Sequence, residues 1–189
     1  DNTVTLTVTD LNANTSSCEA TVTVLDATMP IAVCQSITVT LDDNGMAVIS
    51  PDDIDLGSSD NCTNFSTSID IETFDCSTLG ENDVLFSITD AQGNVANCMA
   101  VVTVIDTTPP TMVCQDITIS LDDDYQGVLS LDAVFANTTD NCTIVTREMD
   151  ISSFDCTNVG ENTVTILAID QSGNHGNSGT FQNGSLFRG

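Results

Sequence analysis

Apolar and polar residues alternate one by one along most of this chain. In residues 3–9 threonines alternate with Val4, Leu6 and Val8, and residues 36–41 alternate in the same way. A period of two places successive side chains on opposite faces of a strand, and β-branched residues suit that conformation. Turn sequences rich in Gly, Asn, Asp and Ser interrupt the pattern at residues 42–45, 57–59, 80–82 and 92–94. Short strands at this spacing, with no helical stretch between them, predict an all-β chain.

The alternating segments belong to a sequence repeat of 80 residues. The related segments DNTVTLTVTD, ENDVLFSITD and ENTVTILAID begin at Asp1, Glu81 and Glu161. Repeats of this length predict tandem β-sandwiches. We expect a half-repeat over residues 1–29 that carries the last two strands and is a candidate donor segment. We also expect a complete sandwich over 30–109 and another over 110–189 whose last strand is atypical, joined by a short stiff connection that contains Pro-Pro.

The cysteine pattern of each repeat resembles a known module. A cysteine follows the linker proline, Asp-Asn-Cys and Phe-Asp-Cys come later, and residues 89–104 read T-D-x-x-G-N-x-x-x-C-x-x-x-V-T-V. In these features the chain resembles the hyalin repeat (HYR), which occurs in arrays in extracellular adhesion proteins and bacterial surface proteins. The resemblance implies immunoglobulin-like sandwiches with an adhesive or structural role and no enzymatic activity. One departure is Ser178, which stands where the repeat has Cys18 and Cys98.

Composition limits the partners of the chain. The formal net charge is −26, from 28 acidic and two basic residues, so no basic surface for nucleic acid or anionic membrane is available. Because 40% of the residues are hydrophobic, we expect a folded chain in spite of this charge. No apolar run approaches the roughly 18 residues of a membrane span. Residues 1–20 lack a signal peptide pattern, so the sequence is interpreted as mature or excised material.

The sequence offers few residues for catalysis. His175 is the only histidine and there is no lysine, so a serine or cysteine nucleophile has no general base that the sequence can assign to it. A pair of carboxylates is the remaining alternative, as in glycosidases. The acids recur at turn positions in each repeat, however, which is typical of structural aspartates. We therefore expect a protein that is not an enzyme.

The eight cysteines predict disulfides in an oxidising, extracellular setting. The closest two are 14 positions apart, which is unlike the close pairs of zinc sites. In an immunoglobulin-like sandwich Cys34 and Cys98 each begin a strand at one pole, whereas a bond from Cys98 to Cys114 would span a strand of about 23 Å. The favoured bonds are Cys34–Cys98, Cys62–Cys76 and Cys142–Cys156.

Acidic and amide side chains should meet where the linker enters each sandwich, a pole that we call the head. In the immunoglobulin-like topology two loops lie there beside the linker. Several carboxylates and amide oxygens together suit Ca²⁺, which would stiffen the joint between sandwiches. The alternative is that these residues form turns with their own backbone. We read residues 42–45 as an ordinary hairpin turn at the other pole. The candidate ligands are Asp26, Asp60, Asn61, Asp90 and Asn94 in the first sandwich, and Asp106, Asp140, Asn141, Asp170 and Asn174 in the second.

Two cysteines are left without a partner by this scheme, and they suggest assembly. Cys18 and Cys114 lack partners within their own repeats, so they are candidates for an intermolecular disulfide. Residues 19–25 match the strand that the last repeat lacks, which predicts a head-to-tail filament of identical copies. One difficulty is that residues 2–9 duplicate residues 162–169. The alternative is that the sequence is a window of a longer array.

The leading functional prediction is therefore an extracellular filament or adhesin stalk. A second hypothesis is a module that binds a glycan or a protein through the loops at one pole. A third is an accessory domain of a larger secreted protein. An exposed aromatic platform would favour glycan binding, but the chain has one tyrosine and no tryptophan.

Overall fold

The computed structural model describes residues 1–113, 115–176 and 180–182. It begins with a hairpin of two strands, β1 (Asn2–Thr9) and β2 (Thr15–Val22), which pair along their whole length. Every residue of both strands is exposed, including apolar Leu6 at 61% and Val8 at 62%. The half-repeat thus forms its expected strands without covering their apolar side chains.

In the first sandwich, a sheet of four strands packs against a sheet of two strands. The larger sheet has the order β3-β8-β7-β5 and the smaller one pairs β4 with β6. At one edge β3 runs parallel to β8, with Ile37 opposite Val102. The strands are β3 (Ile37–Thr40), β4 (Met46–Val48), β5 (Phe65–Ile69), β6 (Thr73–Asp75), β7 (Gly80–Asp90) and β8 (Val95–Ile105).

Alternating residues of the long strands build the first core. In β7, Val84, Phe86 and Ile88 are fully buried while their neighbours are partly exposed. They pack with Phe74 from the opposite sheet, so the core lies between the two layers. This is the arrangement that the period of two predicts.

Short helical turns occur where the residue pattern predicted none. The helix α1 (Pro51–Ile54) follows β4, and α2 (Leu131–Val134) takes the equivalent place in the second sandwich. Ser50 and Ser130 cap their first turns. Each helix has only four residues, so the expectation of no helix was wrong for a feature too short to show a period of 3.6.

The second sandwich repeats this plan with a shorter last strand. It pairs β10 (Ile144–Met149) with β12 (Thr163–Asp170), and β9 (Gly127–Val128) with β11 (Ser153–Phe154). Phe154, Val164 and Ile166 are buried in its core. The last strand, β13 (Thr180–Gln182), pairs with β12 over three residues, whereas β8 has eleven. The fold is therefore all-β, with two immunoglobulin-like sandwiches 80 residues apart, as predicted.

One stretch of the second sandwich differs from its counterpart in the first. Residues 117–120 correspond to β3 but form no strand. In the first sandwich β3 is held by β8, and the residues equivalent to its partners in β8 are 182–185. Only Gln182 of these lies within the described residues.

The disulfides require a correction of the predicted pairs. Cys34 is bonded to Cys98 with a Cα–Cα distance of 6.2 Å, which is the pair that the sequence favoured. Cys76, however, is bonded to Cys142 and not to Cys62, so the predicted Cys62–Cys76 pair was wrong. The five residues of β5 separate Cys62 from Cys76 by about 16 Å at strand rise, well beyond the reach of a disulfide.

The same reasoning removes the predicted Cys142–Cys156 pair. Strand β10 separates these two cysteines, and Cys142 is already bonded to Cys76. Cys156 is free and exposed, as are Cys62 and Cys18. Cys114 and Ser178 lie outside the described residues, so the predicted Cys18–Cys114 link stays a prediction.

Candidate functional site

The candidate site is the joint where the first sandwich meets the head of the second. The Cys76–Cys142 disulfide crosses this joint with an S–S distance of 2.03 Å. Two side chains of the second sandwich also donate to backbone carbonyls of the first. Asn141 Nδ2 donates to the Asp42 oxygen at 3.1 Å, and Gln171 Nε2 to the Cys76 oxygen at 2.8 Å. Among the described residues, the disulfide and these two hydrogen bonds join the two sandwiches directly.

The foot of the first sandwich consists of the turn at residues 42–45 and the short 3₁₀ helix Cys76–Thr78. This turn joins β3 to β4, which belong to different sheets, so it is not the hairpin turn that the sequence predicted. It lies against the second sandwich, where Gly45 is buried. A Cβ atom on Gly45 would lie 2.6 Å from the Asn141 oxygen and 2.8 Å from Cys76 Sγ. Glycine therefore allows the close approach of the two sandwiches.

Three carboxylates meet at the head of the second sandwich. Asp106 leaves β8 in the linker, Asp140 precedes Cys142, and Asp170 ends β12. One oxygen of each lies within 4.8 Å of the others. Asp106 and Asp170 are only 6% and 1% exposed. The linker and the two loops thus converge in the way that the immunoglobulin-like topology requires.

Two asparagines bind these acids to one another. Asn174 Nδ2 donates to Asp170 Oδ2 at 2.8 Å and to the Asp106 backbone oxygen at 3.2 Å. Asn141 Nδ2 donates to Asp106 Oδ1 at 3.1 Å. Asp170 Oδ1 also accepts backbone N–H groups from Ser172 and Asn174, both at 2.8 Å. The turn-forming role of Asp170 and its place in the acidic cluster therefore coexist.

Some acceptor atoms of this cluster have no hydrogen-bond donor. Asp140 Oδ1 and Asn141 Oδ1 are buried without a partner among the described residues. Burial raises the pKa of the Asp140 carboxyl above its ordinary value, and the charges of Asp170 and Asp106 raise it further. Buried oxygens without donors beside three carboxylates are a suitable ligand set for a hard cation such as Ca²⁺.

The head of the first sandwich has the same construction. Asn61 Nδ2 donates to Asp26 Oδ2 at 3.1 Å, and Asn94 Nδ2 donates to the Asp26 backbone oxygen at 3.3 Å. Asn94 also donates to Asp90 Oδ2 at 2.7 Å. Asp60 Oδ1 is buried without a partner, like its counterpart Asp140 Oδ1. The ten predicted ligands thus lie in two groups of five, one at each head.

Cys62 adds a thiol to the first head. One atom each of Asp26, Asp60 and Cys62 lies within 4.8 Å of the others. The hydrogen bond from the Cys62 thiol lowers the pKa of the Asp26 carboxyl, and it raises the pKa of the thiol. This head is exposed at Asn61 and Cys62, whereas Asn141 and Cys142 are partly covered.

The disulfide that crosses the joint was not among the pairs predicted from the sequence. The repeat alone did not show that residues 42–45 and 76 of one sandwich lie beside the head of the next. The pairs predicted within one chain each joined two cysteines of the same repeat. Each repeat carries Asp-Asn-Cys at its head and Phe-Asp-Cys at its foot, a pattern that equally suits bonds between neighbouring repeats.

Comparison with known proteins identifies the class of the second sandwich. Residues 105–183 match the model of the HYR domain. The match spans the second sandwich, and there it confirms the resemblance that the cysteine pattern indicated. Together with the two disulfides, the match indicates an extracellular protein. No curated protein sequence matches the chain.

Solved structures with a similar course of the chain share little sequence with it. Mouse cadherin-23 EC22-24 is 12% identical with a TM-score of 0.37, covering 99% of this chain and 74% of that one. Mouse clustered PcdhgC3 EC1-3 is 14% identical with a TM-score of 0.33, covering 98% and 76%. The Clostridium thermocellum CbhA fibronectin(III)-like modules are 9% identical with a TM-score of 0.27, covering 84% and 92%. Within the described residues, no helix has the length and apolar character needed to cross a membrane.

Proposed function

We propose that this chain is a non-enzymatic structural link of an extracellular filament or adhesin stalk. The observation that carries the proposal is the joint, where Cys76 and Cys142 bond one sandwich to the next. A chain whose sandwiches acted separately would need no such bond between them. Its role is to hold successive sandwiches in a fixed orientation and to transmit load along the array.

Calcium at the heads is the second part of the proposal. At the head of the second sandwich the carboxylates of Asp106, Asp140 and Asp170 and the amide oxygen of Asn141 would hold the ion. The ion would neutralise three charges and give the unpaired oxygens a partner. Since Asp106 belongs to the linker and Asn141 also bonds the first sandwich, the ion would stiffen the joint itself.

End-to-end assembly of identical copies is the third part. The exposed apolar residues of β1 and β2 are suited to cover another chain. In the first sandwich Ile37 of β3 lies opposite Val102 of β8, and the 80-residue repeat places Val22 of another copy in the same position opposite Ile117. We propose that the half-repeat of one copy completes the last sandwich of another, in place of the short β13, with Cys18 beside Cys114. A contact of this kind does not close on itself and propagates.

Electron microscopy of the purified protein tests this function. Under oxidising conditions with calcium we expect filaments one sandwich wide. A variant that lacks residues 1–25 is the control, because it keeps both sandwiches and loses the donor hairpin. Monodisperse particles of the intact protein over a range of concentrations would contradict the proposal.

A further inference from the structure

Cys62 and Cys156 repeat the two cysteines of the internal joint. Cys156 lies 80 positions after Cys76, and Cys62 lies 80 positions before Cys142. Cys76 and Cys142 are bonded to each other, while Cys62 and Cys156 are free and exposed. Cys62 belongs to the head of the first sandwich and Cys156 to the foot of the second. The two thiols of one chain therefore lie at opposite ends, where each is accessible to another copy.

We propose that Cys156 of one copy forms a disulfide with Cys62 of the next, in the arrangement of Cys76 and Cys142. The inference rests on the proposed end-to-end assembly and names its covalent bond. A small disulfide such as oxidised glutathione supplies the oxidant. The Cys156 thiolate displaces one glutathione thiolate to form a mixed disulfide, and the Cys62 thiolate then displaces the second. The two protein thiols lose two electrons and two protons, and two molecules of glutathione are released.

The head of the first sandwich, which carries Cys62, has the same hydrogen bonds as the head at the internal joint. Asn61 holds the Asp26 side chain at 3.1 Å, just as Asn141 holds Asp106 at 3.1 Å in the internal joint. The Cys62 N–H donates to its aspartate, Asp60 Oδ2, at 2.9 Å, and the Cys142 N–H bonds its own aspartate in the same way. The backbone at Cys62 is therefore held in the same way as at Cys142, although Cys62 is exposed.

The foot that would supply the other sulfur is equally well formed. It consists of the turn at residues 122–125 and the 3₁₀ helix Cys156–Asn158. Asp155 Oδ1 accepts the Thr157 N–H at 2.7 Å, as Asp75 Oδ1 accepts the Ser77 N–H at 2.8 Å. Both 3₁₀ helices carry the same cap, so the two cysteines leave their strands in equivalent positions.

Two residues make the joint between copies differ from the internal one. Tyr125 stands in place of Gly45, with a φ of 62° and a side chain that is 55% exposed. Because a Cβ atom at Gly45 would lie 2.6 Å from the Asn141 oxygen, Tyr125 must hold the two copies slightly farther apart. Ala91 stands in place of Gln171 and has no side-chain donor. The joint between copies thus has fewer direct contacts and depends more on its disulfide.

Oxidation of the Cys18→Ser variant tests the proposal, because it removes the other predicted link between copies. The protein is incubated with reduced and oxidised glutathione and separated by non-reducing electrophoresis. We expect a ladder of multimers that collapses on reduction. Adding Cys62→Ser or Cys156→Ser to this background should abolish the ladder. An equimolar mixture of these two double variants should give dimers, because only one Cys156–Cys62 bond is left to form.

Peptide mapping of the dimer band identifies the bond. A peptide with Cys62 linked to one with Cys156 is expected. Recovery of a pair other than this one and the internal Cys34–Cys98 and Cys76–Cys142 bonds, or a ladder that persists without Cys62, would overturn the inference. Tyr125→Gly should increase the rate of ladder formation about fivefold or more, since it removes the obstruction. An unchanged rate would show that the cysteines meet in a different geometry.

The outcomes also separate this inference from the proposed function. Filaments that form while Cys62 and Cys156 stay reduced would contradict the inference alone. Protein that neither assembles nor forms the bond, under conditions in which Cys76 and Cys142 are bonded, would contradict both.

Discussion

Replacing Asp140 with Asn should change stability in opposite directions with and without calcium. The substitution keeps the shape of the side chain and an acceptor oxygen for the Cys142 N–H, but it removes one of three negative charges. Without a cation those charges repel one another. With a cation they are its ligands. The sign of the effect therefore reports whether the cluster binds calcium.

The magnitude follows from the distances. Two unit charges 4.8 Å apart interact by about 1 kcal/mol at the dielectric constant of water and by about 3.5 kcal/mol at an effective value of 20. Asp140 is partly exposed, so the lower figure applies, and the variant removes two such pairs. We expect Asp140→Asn to stabilise the second sandwich by about 2 kcal/mol in chelator, which raises its Tm by about 8 °C or more.

The pH dependence has a defined sign. Because the pKa of Asp140 is raised in the folded state, its ionised form destabilises the fold above that pKa, and this cost disappears as the pH falls through it. Carboxyls such as Asp75 and Asp155 have lowered pKa values and lose their stabilising effect as the pH falls, equally in both proteins. The difference in Tm between wild type and Asp140→Asn should therefore shrink towards acidic pH.

Differential scanning calorimetry in chelator and in calcium measures these effects. Calcium should raise the Tm of the wild type much more than that of Asp140→Asn. The equivalent variant Asp60→Asn is the matched control, because it lies at the other head and should leave the transition of the second sandwich unchanged. A variant that is less stable than wild type in chelator, or an equal response of both proteins to calcium, would refute the reasoning.

Three further predictions concern the cores and the joint. Phe154→Ala should destabilise the second sandwich by about 3–5 kcal/mol in chemical denaturation and leave the first unchanged, whereas Phe74→Ala should do the reverse; a shared loss would show that the two cores unfold as one. Gly45→Ala should slow formation of the internal disulfide, because its Cβ atom meets the second sandwich, while Gly93→Ala, with a positive φ but open space, should not; thiol titration during refolding compares them. Cys142→Ser should broaden the distribution of angles between the sandwiches in X-ray scattering at unchanged secondary structure, and an identical scattering curve would show that the disulfide does not fix the joint.

Much of the fold could be predicted from residue pattern alone. The alternation in residues 81–90 gives the buried face of β7, because strands have a period of two and only one face of this sheet is covered. The two acidic groups were also predictable, since the topology of the sandwich brings the linker and two loops to one pole. Asp26 and Asp60 illustrate this, being 34 positions apart in sequence and together in space.

The joint was not predictable in the same way. Its contacts depend on the orientation of one sandwich relative to the next, and neither the periodicity of the strands nor the turn residues predict that orientation. In the sequence Gly45 looks like an ordinary turn glycine. The structure shows that a Cβ atom at this position would lie 2.6 Å from the Asn141 oxygen, so the joint requires glycine there. In the sequence Cys62 is the cysteine nearest to Cys76, which suggested a bond between them. The structure places β5 between the two, so Cys62 is too far from Cys76 to bond with it. The short helices α1 and α2 were not predicted for a different reason. A helix of four residues has a single turn, which is too short to show a period of 3.6 in the sequence.

Peptide mapping of the unreduced monomer tests the central claim, a covalent joint between the sandwiches, most directly. A protease that cleaves after acidic residues cuts at Asp70 and Glu72 between Cys62 and Cys76, and at Glu148 and Asp150 between Cys142 and Cys156. The account predicts one peptide pair that joins Cys76 to Cys142. Recovery of Cys62 joined to Cys76, or of Cys142 joined to Cys156, would contradict it.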